Sequence, residues 1–242
     1  MANPVPISRW TVDSFVEQRV LPYLPKVKAV FVHHVYAATS TFRGLESMHE
    51  VQMDWHIRGR GWSAIGANAY TTPDGAVYNG RPLSWGNWAH CVVKRPWGDL
   101  PEALVQLMGY DEVWPNHHGV GIETWGNFDA EDPTTSVAMR TTIKLAARIC
   151  EVADLDPYLH VWPHGCPAAT DPALWGPAYK SCPGDRVDMQ WVRDEIAREM
   201  GLTPARTPRG VIVDPATEFG HVIEGIEHNG RLLSYCLLYT SP

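Results

Sequence analysis

The sequence predicts an α/β or α+β fold, a sheet with helices packed on its faces, and three observations carry that expectation. Val27 to Val35 is a short run rich in β-branched residues, the composition of a buried strand. Thr135 to Ala153 is the longest helical pattern, with Val137, Ile143, Ala146, Ile149 and Cys150 on one stripe behind a threonine cap. Strand-like and helix-like segments also alternate along the chain, as they do when helices cover a sheet.

The other elements follow in order. Residues 11–19 are expected as a short helix capped by Thr11 or Asp13. From Leu45 to about Arg58, Met48, Val51 and Trp55 recur at helical spacing, and Gly59 and Gly61 stop the helix. Ala67–Thr72 and Ala76–Asn79 flank Pro73-Asp74-Gly75 and read as a β-hairpin. Residues 83–118 are irregular apart from a helix after Pro101, and Gly119 to Trp125 is a further strand. Tyr158 to Trp162 is expected as a short strand, and Asp188 as the cap of a last helix carrying Met189, Val192 and Ile196. One domain therefore spans residues 1–201, with a proline-containing linker at 202–210. The tail, residues 211–242, is too short for an ordinary independent core. Its end, residues 236–242, resembles the translated end of a sequencing adapter and is expected not to be native.

Composition narrows the function. The net charge of −7 argues against a partner such as duplex nucleic acid, which needs a basic stripe to displace counterions from phosphates. No apolar run approaches the length of a membrane span, so membrane insertion is not expected. The N-terminus lacks a basic segment followed by an apolar one, so the chain is expected to be made in the cytoplasm without a secretory signal. Five cysteines, an odd number without framework spacing, fit reduced thiols or metal ligation better than a disulfide scaffold. Eleven tryptophans are compatible with a carbohydrate-bearing ligand, since indole stacks on sugar rings, although core packing accounts for any single one.

Ligand types for a catalytic metal are present. A zinc ion held by three protein ligands with one position open lowers the pKa of a bound water to roughly 7. His33 or His34, His160 or His164, and Cys182 are a His, His, Cys set drawn from distant segments. A structural zinc knuckle shows paired, closely spaced ligands instead.

Several segments together resemble one family in the same order. They are Phe31-Val32-His33-His34, the run from Trp55 to Asn68, Pro73-Asp74-Gly75 with Gly80-Arg81-Pro82, Ala89-His90, Gly119-Val120-Gly121-Ile122-Glu123, and Lys180-Ser181-Cys182-Pro183-Gly184. Over about residues 27 to 200 the chain is similar to the zinc-type N-acetylmuramoyl-L-alanine amidases. That family includes phage endolysins, cytoplasmic wall-recycling amidases and animal peptidoglycan recognition proteins. The resemblance implies a mixed central β-sheet flanked by helices, with peptidoglycan or a muropeptide as substrate. It implies hydrolysis of the amide between N-acetylmuramic acid and L-alanine.

Carried over by residue, the resemblance makes His33 the first Zn2+ ligand and Cys182 the last. His34, facing the opposite way along the strand, is a neighbour of the site. The second ligand is preferred as His164, at a strand exit, with His160 and Cys166 as alternatives. The 17 residues between His164 and Cys182 are a longer loop than the family usually has. Many phage-type members place a tyrosine directly after the glycine of the Ile-Gly pair, where this chain has Ala67. Recycling-type members carry a glutamate in the Gly-Ile-Glu strand, which makes Glu123 the expected general base. Lys180, two residues before Cys182, is the expected stabiliser of the oxyanion. His90, Trp62 and Asn68 are expected substrate contacts, with Trp88 and Trp125 as further groove candidates.

Three readings follow: a phage-type lysin released onto the cell wall, a cytoplasmic recycling amidase acting on anhydro-muropeptides, and a non-catalytic peptidoglycan-binding protein. Receptors of the last kind commonly lose the cysteine ligand, whereas Cys182 is retained.

Overall fold

The computed structural model describes residues 2–86, 114–164, 182–204, 226–228 and 231–233. The chain divides into two units, Met1–Leu202 and Thr203–Pro242. Among the described residues no helix is long and apolar enough to cross a membrane.

The first unit is built on a six-stranded mixed sheet. Its strands are β1 (Arg9–Trp10), β2 (Ala29–His34), β3 (Ala69–Thr71), β4 (Val77–Asn79), β5 (Gly119–Thr124) and β6 (Val161–Pro163), in the order β1-β4-β3-β5-β2-β6. β1 and β3 pair antiparallel with β4, whereas β3, β2 and β6 join through parallel pairings to β5 or β2. The β3–β4 hairpin turns at Pro73-Asp74-Gly75 as the sequence indicates, with Gly75 at a φ of 73° that favours glycine. β1 has no sequence signal of its own; two residues are too few to show a period.

Helices cover both faces. α1 (Val12–Phe15) begins at Thr11, whose hydroxyl accepts from the Ser14 amide in a reciprocal capping box. The helical path then widens into a π-type turn over Val16–Val20 and tightens over Leu21–Lys26. α2 (Leu45–Glu50) continues into a second π-type stretch, Val51–Arg58, so the predicted helix exists but is not α throughout. α3 (Trp114–His118) leads directly into β5. α4 (Val137–Ala153) starts one residue later than a Thr135 cap would require, because the Ser136 hydroxyl accepts from Met139 N–H. Thr135 belongs instead to a preceding 3-10 turn. α6 (Met189–Glu199) is capped by Asp188 as expected.

Between α4 and α6 lies a correction. Tyr158–Trp162 is not a strand from its start, because Asp156 caps a helical turn, α5 (Pro157–His160), with proline at its first position. Only Val161–Pro163 then runs as β6.

Alternation along β2 divides the core. Val30, Val32, Val120, Ile122 and Val161 pack with Ile143, Leu145, Ile149, Val192 and Ile196 from α4 and α6. Each fully buried Leu or Ile contributes about 1.5–3 kcal/mol relative to exposure. A second cluster holds Met48, Val51, Ile65, Tyr70, Tyr78 and Trp125. Trp125, 2 % exposed, donates its indole N–H to Ala38 O, which makes it a core residue and not a groove lining. A buried trio of hydroxyls, Thr71, Thr124 and Thr142, ties β3 and β5 to α4.

The second unit contains an antiparallel pair, β7 (Ile226–His228) and β8 (Arg231–Leu233), with Glu227 opposite Leu232. Most of the expected linker at 202–210, and residues 236–242, lie outside the described residues, as does the helix expected after Pro101.

His56 sets an acid limit on the first unit. Its ring stacks on Trp62 at 4.8 Å and 10°, and its Nδ1 is buried without a hydrogen-bond partner among the described residues. Burial, helped by Arg60 and Arg81, pushes its pKa down to about 4. The unfolded chain therefore takes up this proton first as pH falls. The contribution is whole above about 6.5 and is lost on the way down to about 4, a span worth roughly 3 kcal/mol. Thermal melting of chelator-treated protein is expected to show Tm falling over that window. His56→Phe, which keeps the stack, should flatten the slope; an unchanged slope would show that His56 does not set it.

Candidate metal and catalytic site

Parallel pairing gathers the site. β2, β5 and β6 run in one direction, so their C-terminal ends meet at one edge of the sheet, where ligands of open α/β sheets bind. His33 is the second-last residue of β2 and lies in register with Glu123 of β5, and His164 directly follows β6. Cys182 reaches the same edge from the segment before α6.

The structure brings His33, His164 and Cys182 together, with one ligand atom from each lying within 4.8 Å of the others. The Nδ1 atoms of His33 and His164 are 3.0 Å apart, and the rings tilt at 59°. Glu123 joins from beside them, its Oε1 3.9 Å from His33 Nδ1. His33 is fully buried, while the Glu123 side chain keeps 15 % of its surface open.

His160 is not part of this group. Its Nδ1 lies 3.1 Å from Asp156 N and 3.0 Å from Asp156 O, within its own helical turn. His160 and His164 do not share one strand, because α5 ends at His160 and β6 starts after it.

His34 sits behind the cluster. Its backbone N–H donates to Cys182 Sγ at 3.4 Å, and its Nδ1 accepts from Phe128 N–H at 3.3 Å. Burial pushes the His34 imidazole below its ordinary pKa, against the opposing pull of Asp129 and Asp185. The turn after Cys182 requires glycine at 184, where φ is 125° and a Cβ would lie 2.6 Å from the Phe128 carbonyl carbon. Cys150 is of another kind: it is buried in the core, and its thiol is pushed up to about 12 by that burial.

The surroundings of Asn68 and Trp62, two expected substrate contacts, are described by their partners. Asn68 is 3 % exposed, and its carboxamide donates to Arg81 O and accepts from Gly121 N–H, both at 2.9 Å. It is a strut between the hairpin and β5. Trp62 stacks on His56, and the Arg60 guanidinium is 5.4 Å from its ring centre. Asp185 donates its backbone N–H to Asp129 Oδ1 at 2.9 Å. Lys180, His90, Trp88 and Cys166 lie outside the described residues.

Two further groups around the site were missed by sequence reasoning. Glu131 accepts from Thr39 N–H (2.9 Å), Thr39 Oγ1 (2.7 Å) and Asn127 N–H (3.1 Å), clamping the loop after β2. Burial would raise its carboxyl pKa, but these hydrogen bonds outweigh it and hold it below the ordinary value. Tyr70 lies in register with Glu123 from the other side and is 1 % exposed. Its hydroxyl accepts from Ala67 N–H at 3.3 Å, and burial pushes its pKa well up. Neither group stands in a motif; only strand register and loop closure reveal them.

The family described as N-acetylmuramoyl-L-alanine amidase matches residues 23–185. Curated proteins give no match. Among solved structures, the amidase LysC from Clostridium intestinale is 20 % identical with a TM-score of 0.45, covering 82 % of this chain and 92 % of its own. Drosophila PGRP-LB is 22 % identical with a TM-score of 0.44, covering 75 % and 85 %. The endolysin of the Thermus scotoductus bacteriophage Ph2119 is 17 % identical with a TM-score of 0.41, covering 72 % and 84 %. The family match alone spans more than half of the sequence, and the chain belongs to the N-acetylmuramoyl-L-alanine amidase family.

Proposed function

We propose that this protein hydrolyses the amide between N-acetylmuramic acid and the first L-alanine of peptidoglycan, with zinc as cofactor, and that it acts as a lysin on the polymeric wall. The observation that carries this reading is the approach of His33, His164 and Cys182 to one another within 4.8 Å. Ligand atoms of a tetrahedral zinc site lie roughly 3.3–3.7 Å apart, given ordinary Zn–N and Zn–S lengths. The 3.0 Å between the two imidazole nitrogens needs only a small side-chain adjustment to match. Two imidazoles and a thiol also suit zinc better than a hard cation such as magnesium or calcium.

When bound there, zinc supplies Lewis acidity that makes an attacking water acidic near neutral pH. The protein's own groups divide the remaining work. Glu123, at the edge of the cluster, takes the proton of the attacking water and delivers it to the departing alanine nitrogen. The His34 backbone N–H favours the anionic form of the Cys182 sulfur and fixes its direction. Lys180 is assigned to the oxygen of the tetrahedral intermediate, where negative charge develops. No phenol can extend from position 67, which leaves the carboxylate as the proton carrier.

Incubation of the purified protein with insoluble cell wall is expected to lower turbidity and to release new N-terminal alanine, read by mass spectrometry. A chelator should stop the release and added zinc restore it. Wall that gains no alanine termini would defeat the hydrolase reading. Turnover confined to soluble anhydro-muropeptides would move the substrate to the recycling class.

A further inference from the structure

Tyr36, two residues beyond β2, combines features that folding alone does not explain. Its φ is 59°, the left-handed region, which a bulky aromatic residue rarely adopts. Its side chain recovers little by burial, since the residue remains 64 % exposed. Glycine or asparagine would take that backbone shape with less strain.

The loop nevertheless holds the conformation from both sides. Val35 N–H donates to Thr124 O at 3.0 Å on one flank. On the other, Thr39 is clamped by Glu131 through its amide and hydroxyl, and Ala38 O receives the Trp125 indole N–H. Strain kept in place by its surroundings points to use of the side chain. The ring stays close to the site along the chain: it meets the His34 ring edge-on, with centres 5.5 Å apart, and it is the backbone N–H of His34, not its ring, that donates to Cys182 Sγ.

We propose that Tyr36 is a specificity-determining residue that packs its exposed ring against the saccharide flanking the scissile amide. This assignment rests on the hydrolase reading above, in which a muramic acid ring lies on one side of the bond cut at the cluster. A pyranose presents a face of C–H groups, and a phenol ring offers a flat apolar surface with few rotors to freeze.

The test reads binding without turnover. Chelator-treated full-length protein is melted with and without a peptide-free saccharide of N-acetylglucosamine and N-acetylmuramic acid. The saccharide is expected to raise Tm for wild type and for Tyr36→Phe, which keeps the ring. Tyr36→Ala should need about tenfold more saccharide for the same rise. Tyr36→Gly, tested without saccharide, should melt above wild type, because the strained backbone is relieved. Equal saccharide responses for wild type and Tyr36→Ala, or none in wild type, would overturn the assignment. A Tyr36→Gly Tm no higher than wild type would remove the strain on which it stands. An active wild type with a Tyr36-independent response defeats only this inference. An inactive wild type with a Tyr36-dependent response defeats the hydrolase reading and leaves the saccharide contact.

Discussion

Cys182→Ala is expected to lower zinc content from about one ion per chain to near zero, and with it turnover of the wall, by on the order of 10²-fold or more. Loss of outer partners of a metal ligand alone costs 10- to 100-fold, and Cys182 is one of the three potential ligands that converge here among the described residues. The fold should survive, because Cys182 is only half-buried and lies outside the two apolar clusters. Metal analysis and melting of the same sample separate these effects. Cys150→Ala is the control: that thiol is held protonated in the core, far up at about 12, and its loss should leave zinc content unchanged. A Cys182→Ala protein that retains both zinc and activity would remove the cysteine from the site and the mechanism with it.

Glu123→Gln should divide the two roles in the opposite manner. The amide preserves the size of the side chain beside His33 and leaves the three ligand atoms in place, so zinc content stays at the wild-type level. A carboxamide cannot accept and return a proton as a carboxylate does, so turnover is expected to fall on the order of 10²- to 10⁴-fold. Wild-type rates in this variant would assign the proton transfer to another group. Loss of zinc would show that Glu123 holds the metal cluster together and does not act on the water.

The success of the sequence reading followed the range of the interactions involved. The run Ala29–His34, the Pro73-Asp74-Gly75 turn and the helix Val137–Ala153 each carry their signal within a few neighbouring residues, through β-branched composition, turn geometry and helical period. Tyr158 to His160 shows the limit. Their apolar character suited a strand, yet Asp156 and Pro157 start a helical turn, so a local cap outweighed composition. The same applies to the stretch Val51–Arg58, whose helical spacing was visible while its π-type geometry was not.

At the site, the residue types were legible and the selection among them was not. His33, Glu123 and Cys182 stand in motifs that name them. Nothing local distinguishes His160 from His164, and nothing in the run after Gly66 separates a groove-facing asparagine from a buried one. Register decides both. Pairing of β6 with β2 carries His164 to His33, and the close approach of β3 and β5 encloses Asn68 between Arg81 and Gly121.

The sequence by itself determined the layer architecture, the family, and the kinds of side chain available for chemistry, because periodicity and motif are properties of neighbouring residues. Only the tertiary structure decided which histidine joins His33, which polar group is a strut, and where a strained tyrosine faces outward. Those outcomes depend on strands far apart in the chain lying side by side, and parallel pairing across long connections leaves no imprint on the residues between them.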